Sequence, residues 1–404
     1  MFGAIYTGMS GLTAFSKGLD TISNNVANLN TPGYKGSEFL FQDLFYQYQL
    51  LGEYNNQTVG TNIGRGVEAS NTYLMFAQGD VRNTGTDTDT AINGNGFFVL
   101  KDSTTTYYSR GGQFRINNDG ALVLNGNDDR YVMALDQNGN LQQINITGLK
   151  TATPQATTLV KLQNILSTAS DRFEVPGVNV YDVAGSTHTL KLVIVHQDAN
   201  NWTVEVQDEN AQVIATGGDI RFNGDGTPTA GYNQFQFTLT PDQLDSSVIT
   251  IDFGDPNSYS GVRSLSGSVD ATNVQVASVD GRAVGALTSV SFDREGYLTL
   301  VYSNGQSEKS SRLALAMFDD LQGLKQVGGG LFLADQQQTF SLSHPTDQGM
   351  GEIAGKSLEL SNVELTQQFT DLIVVQRGYQ ASSQILTAAN EMIQQLIDTL
   401  NSKR

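Results

Sequence analysis

Residues 365–400 read LTQQFTDLIVVQRGYQASSQILTAANEMIQQLIDTL, and Leu365, Leu372, Tyr379, Leu386, Ile393 and Leu400 recur in them every seven residues. The other heptad position is mixed: Phe369 and Ile397 are apolar, whereas Gln376, Ser383 and Asn390 are polar. A seven-residue apolar stripe predicts a helix with a seam that wants a partner, and polar seam residues fix register at a cost in stability. Ser361 followed by Glu364 reads as a capping box, and Leu360 with Leu365 as a hydrophobic staple. With no proline from 362 to 400, the predicted helix is about 58 Å long at 1.5 Å per residue.

The other end of the chain matches it. Ile5, Leu12, Leu19 and Val26 repeat every seven residues, and Phe15 and Ile22 occupy the second heptad position. This helix is expected to span 4–28 and to stop at Asn30-Thr31-Pro32-Gly33, because Pro32 disfavours helix at Thr31 and Gly33 supplies a turn. Ala4, Gly11 and Gly18 form a second stripe of small residues that lets another helix come close. Two seams at opposite ends imply that the termini meet each other or meet copies of themselves, the logic of an assembly subunit rather than a catalyst.

Between the helices the sequence is turn-rich and β-like. Asn93-Gly94-Asn95-Gly96 leads into Phe97–Leu100, and Asn117-Asn118-Asp119-Gly120 and Asp136-Gln137-Asn138-Gly139 each close a hairpin on glycine. Alternating runs at 189–195 and 235–239 mark a second β unit, and the Asp293-Arg294-Glu295-Gly296 turn marks a later hairpin resembling the one at 114–124. The expected fold is mainly β with terminal α-helices. Residues 1–30 and 360–404 form a paired-helix, coiled-coil-like terminal domain and 31–72 an irregular connecting arm. Residues 73–149 with 285–359 form an inner β domain, and 150–284 an outer β domain inserted into it.

Composition bounds the function. The 404 residues carry a net charge of −18, which repels phosphate backbones and argues against nucleic-acid binding. There is no cysteine, so disulfides and thiolate metal sites are excluded. No window has the roughly 18 consecutive apolar residues of a membrane span, and the first thirty residues lack a signal peptide's pattern. No nucleophile, acid–base or metal constellation stands out, so no catalytic, cofactor or metal residue is assigned. His196 and Asp198 read as a solvent-facing pair, and Asn223-Gly224-Asp225-Gly226 as a turn rather than a calcium loop. Trp202 and the Thr/Asn-rich middle keep a second reading open, a surface carbohydrate-binding or adhesive protein.

Two segments carry a family resemblance. Asn24-Asn25-Val26-Ala27-Asn28 followed by Thr31-Pro32-Gly33-Tyr34-Lys35 resembles the N-terminal signature of bacterial flagellar rod and hook proteins. Val375-Gln376-Arg377-Gly378-Tyr379-Gln380-Ala381 through Ala389-Asn390-Glu391-Met392 is similar to their C-terminal signature, and Asn93–Val99 to the motif opening their first β domain. The segment 285–305 resembles the hook members in particular, with a rod or hook-associated paralogue as the alternative; 150–284 is not covered. The resemblance implies a self-polymerising subunit of a flexible tubular joint that passes motor torque to the filament. It also implies contacts with the distal rod, the hook cap, hook-associated proteins and the flagellar export apparatus. Location outside the cell, with export that needs no cleaved signal, follows from the same likeness. The seam residues, from Ile5 to Val26 and from Leu365 to Leu400, would be the assembly interface.

Overall fold

The computed structural model describes residues 2–401 apart from 45, 55–56, 65, 137, 199, 241–245, 268–270 and 336. The chain divides into two compact units: Met1–Thr147 with Val290–Thr299 and Lys309–Arg404, and Gly148–Ser289 with Leu300–Glu308.

The first unit opens with helix α1, Phe2–Ala27, and closes with helix α2, Leu365–Asn401. α1 ends where Asn28 and Thr31 take over the backbone, Thr31 N donating to the Asn28 carbonyl. Gly33 then turns with φ at +70°, and a Cβ there would stand 2.3 Å from the Gly111 nitrogen. α2 begins later than its sequence suggests. Ser361 Oγ accepts from Val363 N in a local turn and caps nothing. The side chain of Asn362 is the reason: its Oδ1 accepts from Gly36 N and its Nδ2 donates to the carbonyls of Met75 and Ala77. That clamp holds the backbone extended, and the first helical bond runs from Gln368 N to Glu364 O.

The stretch 31–72 is not an irregular arm. Ser37–Asp43 pairs antiparallel with Val67–Leu74, and Tyr46–Tyr54 pairs antiparallel with Gln57–Gly64. The register shifts between Phe39 and Phe41, and a bulge of that kind breaks the alternation by which a strand is read from sequence. Phe15 of α1 and Phe41 have ring centroids 5.1 Å apart, so this strand packs on the helix.

The helices also do not form a domain apart; they share a unit with the β residues that follow. Ten strands between Phe97 and Ser343 form one sheet. Its core joins Phe97, Tyr108, Phe318 and Phe332, whose rings meet mostly edge to face. Two short pairs, Glu352–Gly355 with Thr90–Asn93 and Ser357–Glu359 with Val81–Asn83, lead back to α2.

The second unit has no α-helix among its described residues and is built on β-sheets. Arg172–Tyr181, Thr187–Asp198, Asn201–Gln207 and Val213–Arg221 form a four-stranded antiparallel meander. A five-stranded sheet is centred on Leu159–Ser167, which runs parallel to Ser247–Asp252 and Val262–Leu265. Both sheets feed one apolar core that includes Leu192, Trp202, Phe237 and Ile251. The return crossing falls inside the hairpin of Gly285–Phe292 and Tyr297–Tyr302, not before it. Gly285 and Ala286 pair with Ala152 and Thr151, which ties the start of that strand to the second unit.

The turns follow one local rule. A side-chain Oδ1 accepts backbone N–H groups two and four residues on at Asn117, Asp136, Asp182, Asp208 and Asp293. Such a side chain supplies the turn's missing acceptor before any tertiary contact forms. Replacing Asn117 with Ala strands two backbone donors, one of them on half-buried chain. The expected loss is about 1 kcal/mol by urea melting of the first unit, and Asn117→Asp keeps most of it. A loss under ~0.3 kcal/mol would mean the hairpin, not the side chain, sets the turn.

Candidate assembly surface

α1 and α2 pack along residues that are mostly too small to hold them apart. Gly8, Gly11, Ala14 and Gly18 of α1 are buried, as are Ile22 and Asn25 at the same 3–4 spacing. On α2 the covered strip is Val375, Ser382 and Ala389, again seven apart. A Cβ at Gly11 would meet Ser382 Oγ at 2.7 Å, and one at Gly378 would meet Phe15 Cζ at 2.4 Å. Phe15 therefore sits as a knob over Gly378. The seam inside the chain is this small-residue strip, and Ala4, at the end of the stripe read from sequence, is exposed.

The sequence-predicted seam residues divide accordingly. Ile22 is buried, and Ile5, Leu12, Phe15, Leu19 and Val26 are half-buried beside the strip. Leu372, Leu386 and Ile393 are half-buried, while Leu365, Phe369, Tyr379 and Ile397 are exposed. The side chain of Leu400 lies outside the described residues. One seam thus splits into an inner portion satisfied within the chain and an outer portion that is not. Val375, Ser382 and Ala389 were missed because serine and alanine add little to an apolar periodicity. The signal that would have found them is the matching glycine spacing on α1.

At the base of the two helices lies a buried polar node. Lys35 and Glu359 are both 0% exposed, with Lys35 Nζ 2.6 Å from Glu359 Oε1. Lys35 Nζ also donates to the Ala77 carbonyl at 2.7 Å. Glu359 Oε1 accepts from Gly79 N, and the Glu359 carbonyl accepts from Gly33 N. Arg110 Nη1 stands 3.6 Å from Glu359 Oε2, and its Nη2 donates to the Gly94 carbonyl. Burial pushes the Lys35 ammonium below its usual range against the pull of Glu359, and burial lowers Arg110 in the same way. Just above, Asn25 Nδ2 donates to the Ser37 carbonyl and to Gln368 Oε1 on α2, while its Oδ1 accepts from Ser37 N and from the Tyr34 hydroxyl. Burial raises Tyr34.

The two signatures therefore do different things. Asn25, Gly33, Tyr34 and Lys35 are architecture, joined here with Glu359, which lay outside every quoted motif. Asn24, Asn28 and Thr31 stay local: Asn28 Nδ2 donates to Asn24 Oδ1 and Thr31 Oγ1 to Asn28 Oδ1, with half-buried Pro32 beside them. Gln376, Arg377, Tyr379 and Gln380 instead face outward on α2.

Among the described residues no group of three or more His, Asp or Glu side chains is placed to hold a metal ion, and no helix is long and apolar enough to cross a membrane. His196 does not pair outward with Asp198; its ring stacks on Trp202 at 4.4 Å between centroids. Trp202 itself is 0% exposed, so it offers no platform for a sugar.

Three family models match separate parts of the chain. They are "Flagella basal body rod protein" at residues 5–35, "Flagellar hook protein FlgE/F/G D1 domain" at 91–156 and "Flagellar basal body rod FlgEFG protein C-terminal" at 354–399. The chain is 28% identical to "Flagellar hook protein FlgE" of Treponema pallidum (strain Nichols) over 97% of this chain and 98% of that one. It is also 28% identical to the protein of the same name from Escherichia coli (strain K12), over 96% and 98%. A solved structure titled "Crystal structure of Helicobacter pylori flagellar hook protein FlgE2" covers 67% of this chain and 98% of its own, at 14% identity and a TM-score of 0.48.

Proposed function

Because the chain belongs to the family of flagellar rod and hook proteins, we propose that it is a structural subunit of the flagellar hook, polymerising with copies of itself into a tubular, bendable joint between motor and filament. Hook rather than rod is supported by matches that run nearly end to end through relatives named as hook proteins. The observation that carries the reading physically is the outer face of α2. α1 already satisfies one strip of that helix, yet Leu365, Phe369, Ile373, Val374, Tyr379 and Ile385 remain exposed. Apolar residues left in rows on a long helix mark a surface awaiting a partner. Distal rod, cap, hook-associated proteins and export apparatus are its further partners in this reading, at the ends and in the passage of the same tube.

Phe369, 51% exposed on α2, separates assembly from folding. Phe369→Asp is expected to leave the monomer within about 0.5 kcal/mol of the parent, as surface substitutions do. The parent protein is expected to form tubes visible by negative-stain microscopy, and Phe369→Asp to form none. Val375→Asp, on the buried strip, is expected to disturb the helix pair in the monomer as well. Normal tubes from Phe369→Asp, or an inert parent protein at high concentration, would count against the hook reading.

A further inference from the structure

We infer that Asn125 is a self-modifying site, the one place where the fold leaves an asparagine free to lose its side-chain ammonia and become a carboxylate. Six asparagines of the chain are followed by glycine: Asn93, Asn95, Asn125, Asn138, Asn223 and Asn304. Glycine sets no side chain in the way of its own nitrogen and lets the backbone turn, so that nitrogen can reach the Cγ of the asparagine before it. The structure separates the six. Asn93 Nδ2 donates to Glu352 Oε1, Asn223 Nδ2 to the Thr227 hydroxyl and Asn257 Oδ1, and Asn304 Nδ2 to the Ala283 carbonyl. Asn95 is held through its backbone instead: its carbonyl accepts from Gly351 N, and Gly96 is buried. At Asn138 the attacking nitrogen is engaged, since Gly139 N donates to the Asp136 carbonyl at 3.1 Å.

Asn125 has none of these restraints. It and Gly126 are exposed, and neither its side chain nor Gly126 N makes a hydrogen bond within the protein. Gly126 takes a φ of +87°, and nothing lies within 4 Å of where its Cβ would stand. The pair joins Leu122–Leu124 to Asn127–Leu135, and the register skips from Leu124–Asn127 to Val123–Tyr131. The ladder is thus interrupted directly behind the turn, as at a bulge. The reaction needs only water. Gly126 N gives up its proton and attacks Asn125 Cγ, the Cγ–Nδ2 bond breaks, and ammonia leaves. Water then opens the cyclic imide. Breaking its bond from Gly126 N to Cγ gives aspartate; breaking its bond from Gly126 N to the main-chain carbonyl carbon gives isoaspartate. Either product adds a negative charge to a hairpin that already carries Asp128, paired with Arg115, and Asp129. Isoaspartate also lengthens the backbone of a turn that has only Asn125 and Gly126 between paired Leu124 and Asn127.

The test follows the full-length folded protein in mildly alkaline buffer by mass spectrometry, where each event adds about 1 Da. Peptide mapping then assigns the change to a position, and an isoaspartate-specific methyltransferase labels the rearranged product. A restrained asparagine reacts only after local opening, so Asn125 is expected to convert about tenfold faster than any of the other five. In urea that advantage should vanish, because the dipeptide is the same at all six positions. Asn125→Gln, an exposed and uncharged change, should remove the early mass gain and leave the slow ones as they were. Conversion of another Asn-Gly step as fast as Asn125 in the folded protein would overturn the inference. So would an Asn125 that stays intact in the folded protein while the urea-unfolded chain converts.

Discussion

Replacing Lys35 with Met is expected to cost the first unit about 3–5 kcal/mol, the usual penalty for removing one partner of a buried ion pair. The Glu359 carboxyl would be left at a site with no exposure, with Gly79 N as its one remaining direct donor and Arg110 Nη1 at 3.6 Å. The Ala77 carbonyl would lose its lysine donor as well. The loss belongs to the broken pair and not to the absence of charge in itself. Lys35→Met combined with Glu359→Leu and Arg110→Met should therefore recover much of it, since apolar replacements of whole buried pairs are often neutral. The measurement has a built-in control. The one tryptophan of the chain, Trp202, lies in the second unit, so its fluorescence transition should not move while the helical circular-dichroism transition does. A helical transition within about 1 kcal/mol of the parent would show that the node tolerates an unpaired carboxylate.

Gly378→Ala is expected to reverse the ordinary ranking of helix formers. In an exposed helix the change gains about 1 kcal/mol. Here the new Cβ would lie 2.4, 2.5 and 2.8 Å from three Phe15 ring carbons, and the Phe15 ring also packs against Phe41 at 5.1 Å between centroids. Overpacking of this kind costs about 1–3 kcal/mol, so the net change is destabilising. In a Phe15→Ala background the obstruction is gone, and the same substitution should become stabilising by about the propensity difference. The sign change between backgrounds, read from thermal melts of the helical signal, is the decisive result. A Gly378→Ala that stabilises both backgrounds would mean that α1 and α2 do not pack at this distance.

What was legible in the sequence was local. The turns at Asn117, Asp136 and Asp293 could be read because the side chain that makes each turn sits within four residues of the groups it bonds. The two helices could be read because a seven-residue period persists over many turns. The start of α2 could not, since the capping box at Ser361 was a sound local reading defeated by Asn362 bonding to Gly36, Met75 and Ala77. The strand Ser37–Asp43 was hidden by its bulge. Lys35 was visible within a motif, but its partner is 324 positions away and carries no mark of its own. On the candidate surface, heptad counting found Phe369 and Tyr379 and missed Ser382 and Ala389, because small residues register weakly in an apolar count even where they let another helix come close.

The distance along the chain between Lys35 and Glu359 also sets an order of events. Closing a flexible loop of 324 residues costs up to about 5 kcal/mol, and until it closes α1 lacks its helix partner and is weakened by Gly8, Gly11 and Gly18. The node therefore cannot form on a growing chain until Glu359 has been made. Folding the second unit first shortens the effective loop, because 148–289 then spans far less than its contour. The molecule is best viewed as a clasp that fastens last: its β parts can mature during synthesis, while the surface that meets other copies waits for nearly the whole chain to exist.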